Sequence, residues 1–174
     1  MRNIIQFVLF QNLQIDPIAV FSFGKTFHVT GWKLGYVLAP SNLMKEIRKV
    51  HQFSVFSSNH PLQMAIAEYM ENEDNYLRLS SFYQQKRDLF LSIISASRFE
   101  PLVCEGTYFQ LLNYSKICDL KDTEMANEMV LKNGLASIPI SVFYHSFLDQ
   151  HLLRFCFAKK TETLKRAGDI IIKI

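Results

Sequence analysis

The run Ser22-Phe23-Gly24-Lys25-Thr26-Phe27-His28-Val29-Thr30-Gly31-Trp32-Lys33-Leu34-Gly35-Tyr36 decides how the rest of the 174 residues is read. It sets two lysines, Lys25 and Lys33, among three glycines, a serine and two threonines, with aromatic residues in between. An apolar run, Ile18 to Ser22, leads in, and a second, Leu34 to Ala39, leads out. Both read as strands buried on two faces, as in a parallel sheet, the second stopped by Pro40. Glycines at 24, 31 and 35 allow tight turns and a close approach of backbone to a ligand, which a Cβ would block. Ser22, Thr30 and Lys33 offer donors of the kind a phosphate needs. Lys25 stands apart, because a lysine inside an apolar turn is costly without a partner or a task.

Outside that stretch the composition narrows the function classes. With 49% hydrophobic and 20% charged residues, the chain has ample apolar content for a core. The net charge of +3 is slight, and the lysines and arginines form no block, so nucleic-acid binding is not expected. Cys104, Cys118 and Cys156 show no paired spacing, and the five histidines form no HExxH arrangement. Free thiols in a reducing, cytoplasmic compartment and no metal are the expectation. Residues 3–15 are uncharged and mostly apolar. Asn3, Gln6, Gln11, Asn12 and Gln14 interrupt them, and the run falls short of the ~20 residues a membrane span needs. No small-residue cleavage signal follows, so a soluble chain without membrane contact is expected.

The periodicity yields a coarse element map. Ile4 to Phe10 reads as a strand. Ser41 or Asn42 is a candidate cap for a helix carrying Leu43, Ile47 and Val50 on one face, and Gln52–Asn59 reads as a connection. Pro61 suits the first turn of a helix after Asn59-His60. Glu71–Asn75 is a charged break before a longer helix from Leu79 to Ile94. Beyond Ser97 short strands predominate: Phe99–Cys104, Tyr108–Asn113, Leu135–Ile138 and Leu152–Ala158. Between them lies a helix capped by Asp122 and ended by Asn133-Gly134, and Thr161 is the candidate cap of a last helix.

The pattern Ser22-x-x-Lys25-Thr26-Phe27…Thr30-Gly31-Trp32-Lys33-x-Gly35 resembles the Schiff-base segment of class I (fold type I) aminotransferases, which use pyridoxal 5'-phosphate. The closest likeness is to the branch of kynurenine and methionine aminotransferases. It continues through Val50-His51-Gln52…Ser54-Val55-Phe56, Cys104-Glu105-Gly106-Thr107-Tyr108-Phe109 and Arg154-Phe155-Cys156-Phe157-Ala158-Lys159. It spans Ile18 to the C-terminus, and the first fifteen residues lie outside it. Members of that family are about twice as long, with the lysine past their midpoint. The resemblance therefore implies an α/β chain corresponding to the C-terminal half of a fold type I enzyme. Residues 1–60 would be the end of the large cofactor-binding domain, 61–97 connecting helices, and 98–174 a small α+β domain. The family's contacts to the pyridine ring would all lie before residue 1.

The same resemblance implies roles. Lys25 is the catalytic lysine that joins the cofactor and shuttles a proton, although from residue type alone an ordinary surface lysine is the simpler reading. Ser22 and Lys33 match the positions that hold the cofactor phosphate; otherwise they are a strand-end hydroxyl and a solvated amine. Arg154 matches the arginine that binds the α-carboxylate of amino and 2-oxo acid substrates, the alternative being a buried ion pair. Phe56 matches a segment that reaches the neighbouring subunit's site in a homodimer, or is an interface aromatic. Trp32 and Tyr36 read as packing residues that hold the loop rigid. The implied activity is amino-group transfer from an amino acid to a 2-oxo acid. Two alternatives stay open, a non-catalytic remnant and an interaction module that keeps the lysine motif. A separate N-terminal half is a further possible partner.

Overall fold

The computed structural model describes residues 17–174. The strand expected at Ile4 to Phe10 and the apolar run 3–15 lie outside the described residues. The chain divides into two units, the first running to Leu79 and the second from Ser80 to Ile174.

In the first unit, strand β1 (Ala19–Ser22) pairs antiparallel with β2 (Gly35–Leu38), in the register Ala19 to Leu38 and Ser22 to Gly35. This corrects the expectation of strands buried on both faces of a parallel sheet. Among the described residues each strand has a single neighbour, and Val20 is 73% exposed. The connection explains the direction of pairing. It holds only a one-turn helix α1 (Phe23–Thr26) and a 3-10 turn (Thr30–Trp32), without the crossover helix that a parallel return usually carries. The Phe23 amide donates to the Leu34 carbonyl at 3.1 Å and closes the loop at its base.

Helix α2 spans Ser41–Ser54, so Gln52 to Ser54 are helical rather than part of the expected connection. Neither Ser41 nor Asn42 caps it; Pro40 holds the cap position without a side-chain bond. Helix α3 (His60–Met70) starts as expected, with Asn59 Oδ1 accepting from the Leu62 amide at 3.1 Å and Pro61 in the first turn. A short helix α4 (Asp74–Leu77) begins inside the charged break and runs past its end.

The second unit packs helices against a four-stranded antiparallel sheet of order β3-β4-β6-β5. Its strands are β3 (Glu100–Pro101), β4 (Phe109–Asn113), β5 (Ile138–Pro139) and β6 (Leu152–Cys156). The edge strands β3 and β5 are each two residues long, much shorter than the apolar runs Phe99–Cys104 and Leu135–Ile138 suggested. Gln110 and Leu112 pair with Phe155 and Leu153 on the core face, while Phe109 and Leu111 pair with Cys156 and Arg154 on the other. Helix α5 (Leu79–Ile93) places Phe90 in a core that also holds Ile94, Phe99, Met129, Leu164 and Ile171.

Helix α6 (Asp122–Asn133) ends at Gly134, whose φ of 66° is the left-handed geometry a glycine accommodates. Its start differs from expectation. Asp122 is the first helical residue, and its carboxylate turns away to accept from Ser141. Glu124 Oε2 takes the Lys121 amide instead. Helix α7 (Thr161–Ile171) likewise begins at Thr161, with Lys160 in the cap position and no side-chain cap. No described helix is long and apolar enough to cross a membrane.

Candidate functional site

The loop that joins β1 to β2 brings three of the predicted residues into one structure. Ser22 caps α1, its Oγ accepting from the Gly24 amide at 3.2 Å. Thr26 Oγ1 donates back to the Ser22 carbonyl at 3.3 Å, and Thr30 Oγ1 donates to the Gly24 carbonyl at 3.3 Å. The second bond draws the 3-10 turn onto α1, and Lys33 leaves that turn in the left-handed region at φ 56°. Ser22, Lys25 and Lys33 are all exposed. Lys25 therefore does not sit in the apolar interior that its flanking residues suggested. Its neighbours Phe23 and Phe27 turn inward instead, leaving the amine outside.

Aromatic rings hold this loop from beneath. Tyr36 stacks on Phe21 at 4.6 Å and meets Phe23 at 5.1 Å, and Phe27 meets Tyr69 of α3 edge-on at 5.5 Å. The loop thus rests on β2 and α3 through side chains that tolerate little displacement. A cleft of about 260 Å³ opens beside it, lined by residues including Phe23, Tyr36, Ser58, Gln63 and Met70. None of the three polar candidates lines that cleft.

Two of the three glycines are required by the chain itself. A Cβ on Gly35 would meet the Phe21 carbonyl oxygen at 2.3 Å, and one on Gly24 would meet the Thr30 Cα at 2.9 Å, whereas Gly31 faces open space. Gly24 and Gly35 are thus demanded by packing of the chain on itself. The left-handed positions fall on His28 and Lys33.

Phe56 follows the end of α2 in the same unit, 81% exposed and left-handed at φ 69°. Such a φ in a bulky residue is an outlier that costs on the order of 1–3 kcal/mol.

Arg154 belongs to the second unit. Its strand neighbours Leu153 and Phe155 are buried on the core face, and alternation puts Arg154 on the opposite face, half-buried. The guanidinium carbon lies 4.8 Å from the Phe109 ring centroid and 5.3 Å from that of Phe143. Among the described residues it forms no ion pair with a carboxylate. Sequence reasoning missed both rings. Phe109 was legible in principle, since it lies two pairs along β4–β6 from Arg154 on the same face. Phe143 sits in a 3-10 turn (Ser141–Phe143) with no periodic signal.

Cys104, Cys118 and Cys156 are free thiols. No cluster of metal-ligating side chains occurs among the described residues.

Residues 8–171 match the family model for aminotransferase class I and II. The chain belongs to that family. The match begins ten residues before the Ile18 limit inferred from motifs. A methionine aminotransferase from Escherichia coli is 48% identical over 158 residues, which cover 90% of this chain and 41% of that protein. The human kynurenine–oxoglutarate transaminase 1 is 35% identical over 178 residues, with 90% and 42% covered. Among solved structures, an E. coli methionine aminotransferase superposes with a TM-score of 0.86 at 46% identity, covering 90% of this chain and 42% of that one. An N-succinyldiaminopimelate aminotransferase from Mycobacterium tuberculosis gives 0.78 at 28% identity, covering 90% and 41%. The chain thus spans about two fifths of the length of these relatives, and its α/β fold is that part of the fold type I aminotransferase fold.

Proposed function

We propose that this chain supplies the lysine-bearing and carboxylate-binding portion of a pyridoxal 5'-phosphate-dependent aminotransferase. The observation that carries this reading is the Ser22–Lys33 loop. A hydroxyl and two amines stand exposed on one short, internally hydrogen-bonded loop that aromatic packing holds in place. That donor set suits a phosphorylated aldehyde: Ser22 and Lys33 for the phosphate, Lys25 for the carbonyl carbon. When bound, the cofactor supplies an electron sink that acidifies the α-carbon of an amino acid. The Lys25 amine, unprotonated, would take the proton from that carbon as general base and give it up again as general acid.

Arg154 binds the α-carboxylate of the amino acid or 2-oxo acid, its planar fork matching the two oxygens. Its lack of a carboxylate partner within the described residues supports this over a structural ion pair. Phe56 contacts substrate from the partner subunit of a homodimer. The relatives' substrates favour sulfur-containing or aromatic amino acids. We further assign residues 1–60 to the end of a large domain, 61–97 to connecting helices and 98–174 to a small domain, in a cytoplasmic protein. The residues that would hold the pyridine ring are then supplied from outside these 174 residues, including by a separate N-terminal half.

The test is borohydride reduction of the 174-residue chain with pyridoxal phosphate, followed by peptide mapping and a 2-oxo acid assay. Label confined to Lys25, absent in Lys25→Ala, with little turnover is the expected result. Label scattered over many lysines would overturn the assignment and favour a non-catalytic remnant or interaction module.

A further inference from the structure

Arg154 rests against Phe143, yet the segment that carries Phe143 has little burial of its own. Phe143 is 62% exposed, Phe147 72% and Val142 48%. Apolar packing of these side chains therefore cannot fix the segment.

Two aspartates can. Asp122 is 1% exposed, and its two carboxylate oxygens accept from the Ser141 amide and the Ser141 hydroxyl, both at 2.6 Å. Ser141 is itself buried and opens the 3-10 turn that ends in Phe143. Asp149 completes the arrangement from the other end. One of its oxygens accepts from the Asp122 amide at 2.9 Å, the other from the His151 amide at 2.8 Å. His151 immediately precedes β6, the strand of Arg154. Residues 141–151 are thereby fastened at both ends to the start of α6. Charge-assisted bonds of this length are among the stronger ones available, and a buried carboxylate loses heavily when its donors leave.

We propose that Asp122 and Asp149 are positioning residues that hold Phe143 against Arg154 and so set the presentation of its guanidinium to a substrate carboxylate. This rests on the reading of Arg154 as the carboxylate-binding residue. Neither aspartate touches substrate; each acts through the 141–151 segment.

The experiment uses the full 174-residue chain with 15N-labelled arginine. The Arg154 Nε–Hε resonance is identified by its loss in Arg154→Lys and carries ring-current shifts from Phe109 and Phe143. In Asp122→Asn that resonance should move toward its position in Phe143→Ala. Affinity for 3-phenylpropanoate, titrated on the same signal, should fall about tenfold. Ser141→Ala, which keeps the amide donor, should shift the resonance part of the way, and Ser141→Thr should leave it in place. An unmoved Arg154 resonance in folded Asp122→Asn overturns the proposal. If Asp122→Asn does not fold, an unmoved resonance in Ser141→Ala overturns it instead. If 3-phenylpropanoate fails to perturb Arg154 in the unaltered chain, the carboxylate reading falls and the positioning role with it. The comparison with Phe143→Ala still reports separately whether the aspartates hold that ring.

Discussion

Tyr114 shows how a single side chain ties stability to pH. It follows β4, is fully buried, and donates its hydroxyl to the Leu120 carbonyl at 2.8 Å. Burial, then the nearby Asp149 and Asp122 carboxylates, push its pKa well above a tyrosine's ordinary 10.0. Above pH 10.0 the unfolded phenol sheds its proton while the folded one keeps it. Tyr114 therefore contributes its full stabilisation below that pH and loses it progressively above. Urea midpoints should show no Tyr114-dependent decline up to pH 9 and a steep fall beyond pH 10. Tyr114→Phe should cost about 1 kcal/mol at neutral pH through the lost hydrogen bond and flatten the alkaline fall. Tyr83, raised chiefly by burial, should account for part of the slope that remains. An alkaline profile identical in Tyr114→Phe would contradict this account.

Helix α7 lies against the end of α5 at Gly168, and that contact decides how the two elements pack. A Cβ on Gly168 would stand 2.1 Å from Ile93 Cγ2 and 3.2 Å from Ile93 Cβ. Ile93 is β-branched and helical, so its χ1 has little freedom to yield. Alanine would ordinarily favour a helix interior over glycine by about 1 kcal/mol. Here overpacking, at about 1–3 kcal/mol, outweighs that gain. Gly168→Ala should lower the urea midpoint of the chain, and adding Ile93→Ala should cost less than Ile93→Ala does alone. Additive losses in the pair would show that the helices have room to separate. In the sequence, Gly168 stands between Ala167 and Asp169 of α7. Its partner lies seventy-five residues away, so no local pattern announces it.

Across the first unit as a whole, large apolar side chains lie open to solvent. Phe53 is 87% exposed, Phe56 81% and Val20 73%, with Val50, Val55 and Met64 also above half. These side chains come from β1, α2 and α3 and the residues after α2, and they leave apolar surface open for association. Among the described residues, β1 and β2 each also pair on one edge alone, and a free strand edge is a template for pairing with another chain. The purified 174-residue chain should associate in a concentration-dependent way in light scattering and bind an apolar dye. Phe53→Lys together with Val20→Lys should reduce both signals without unfolding the second unit. A monodisperse monomer that leaves the dye dark would contradict the prediction.

The sequence by itself determined the family, the α/β class, the longer helices and the identity of the candidate chemical groups. These are written in local patterns: glycine and lysine spacing around Lys25, 3.6-residue periodicity in α3 and α5, the Asn59–Pro61 start, the Gly134 stop. Only the tertiary structure decided the rest. It paired β1 with β2 antiparallel and left Lys25 exposed, because Phe23 and Phe27 turn inward onto Tyr36 and Tyr69 and set the solvent boundary there. It placed Arg154 against Phe109 and Phe143, and it converted Asp122 from an expected helix cap into a partner of Ser141. Each of these depends on which distant residue comes to lie opposite. That is fixed by sheet register and chain return, not by the neighbours along the chain.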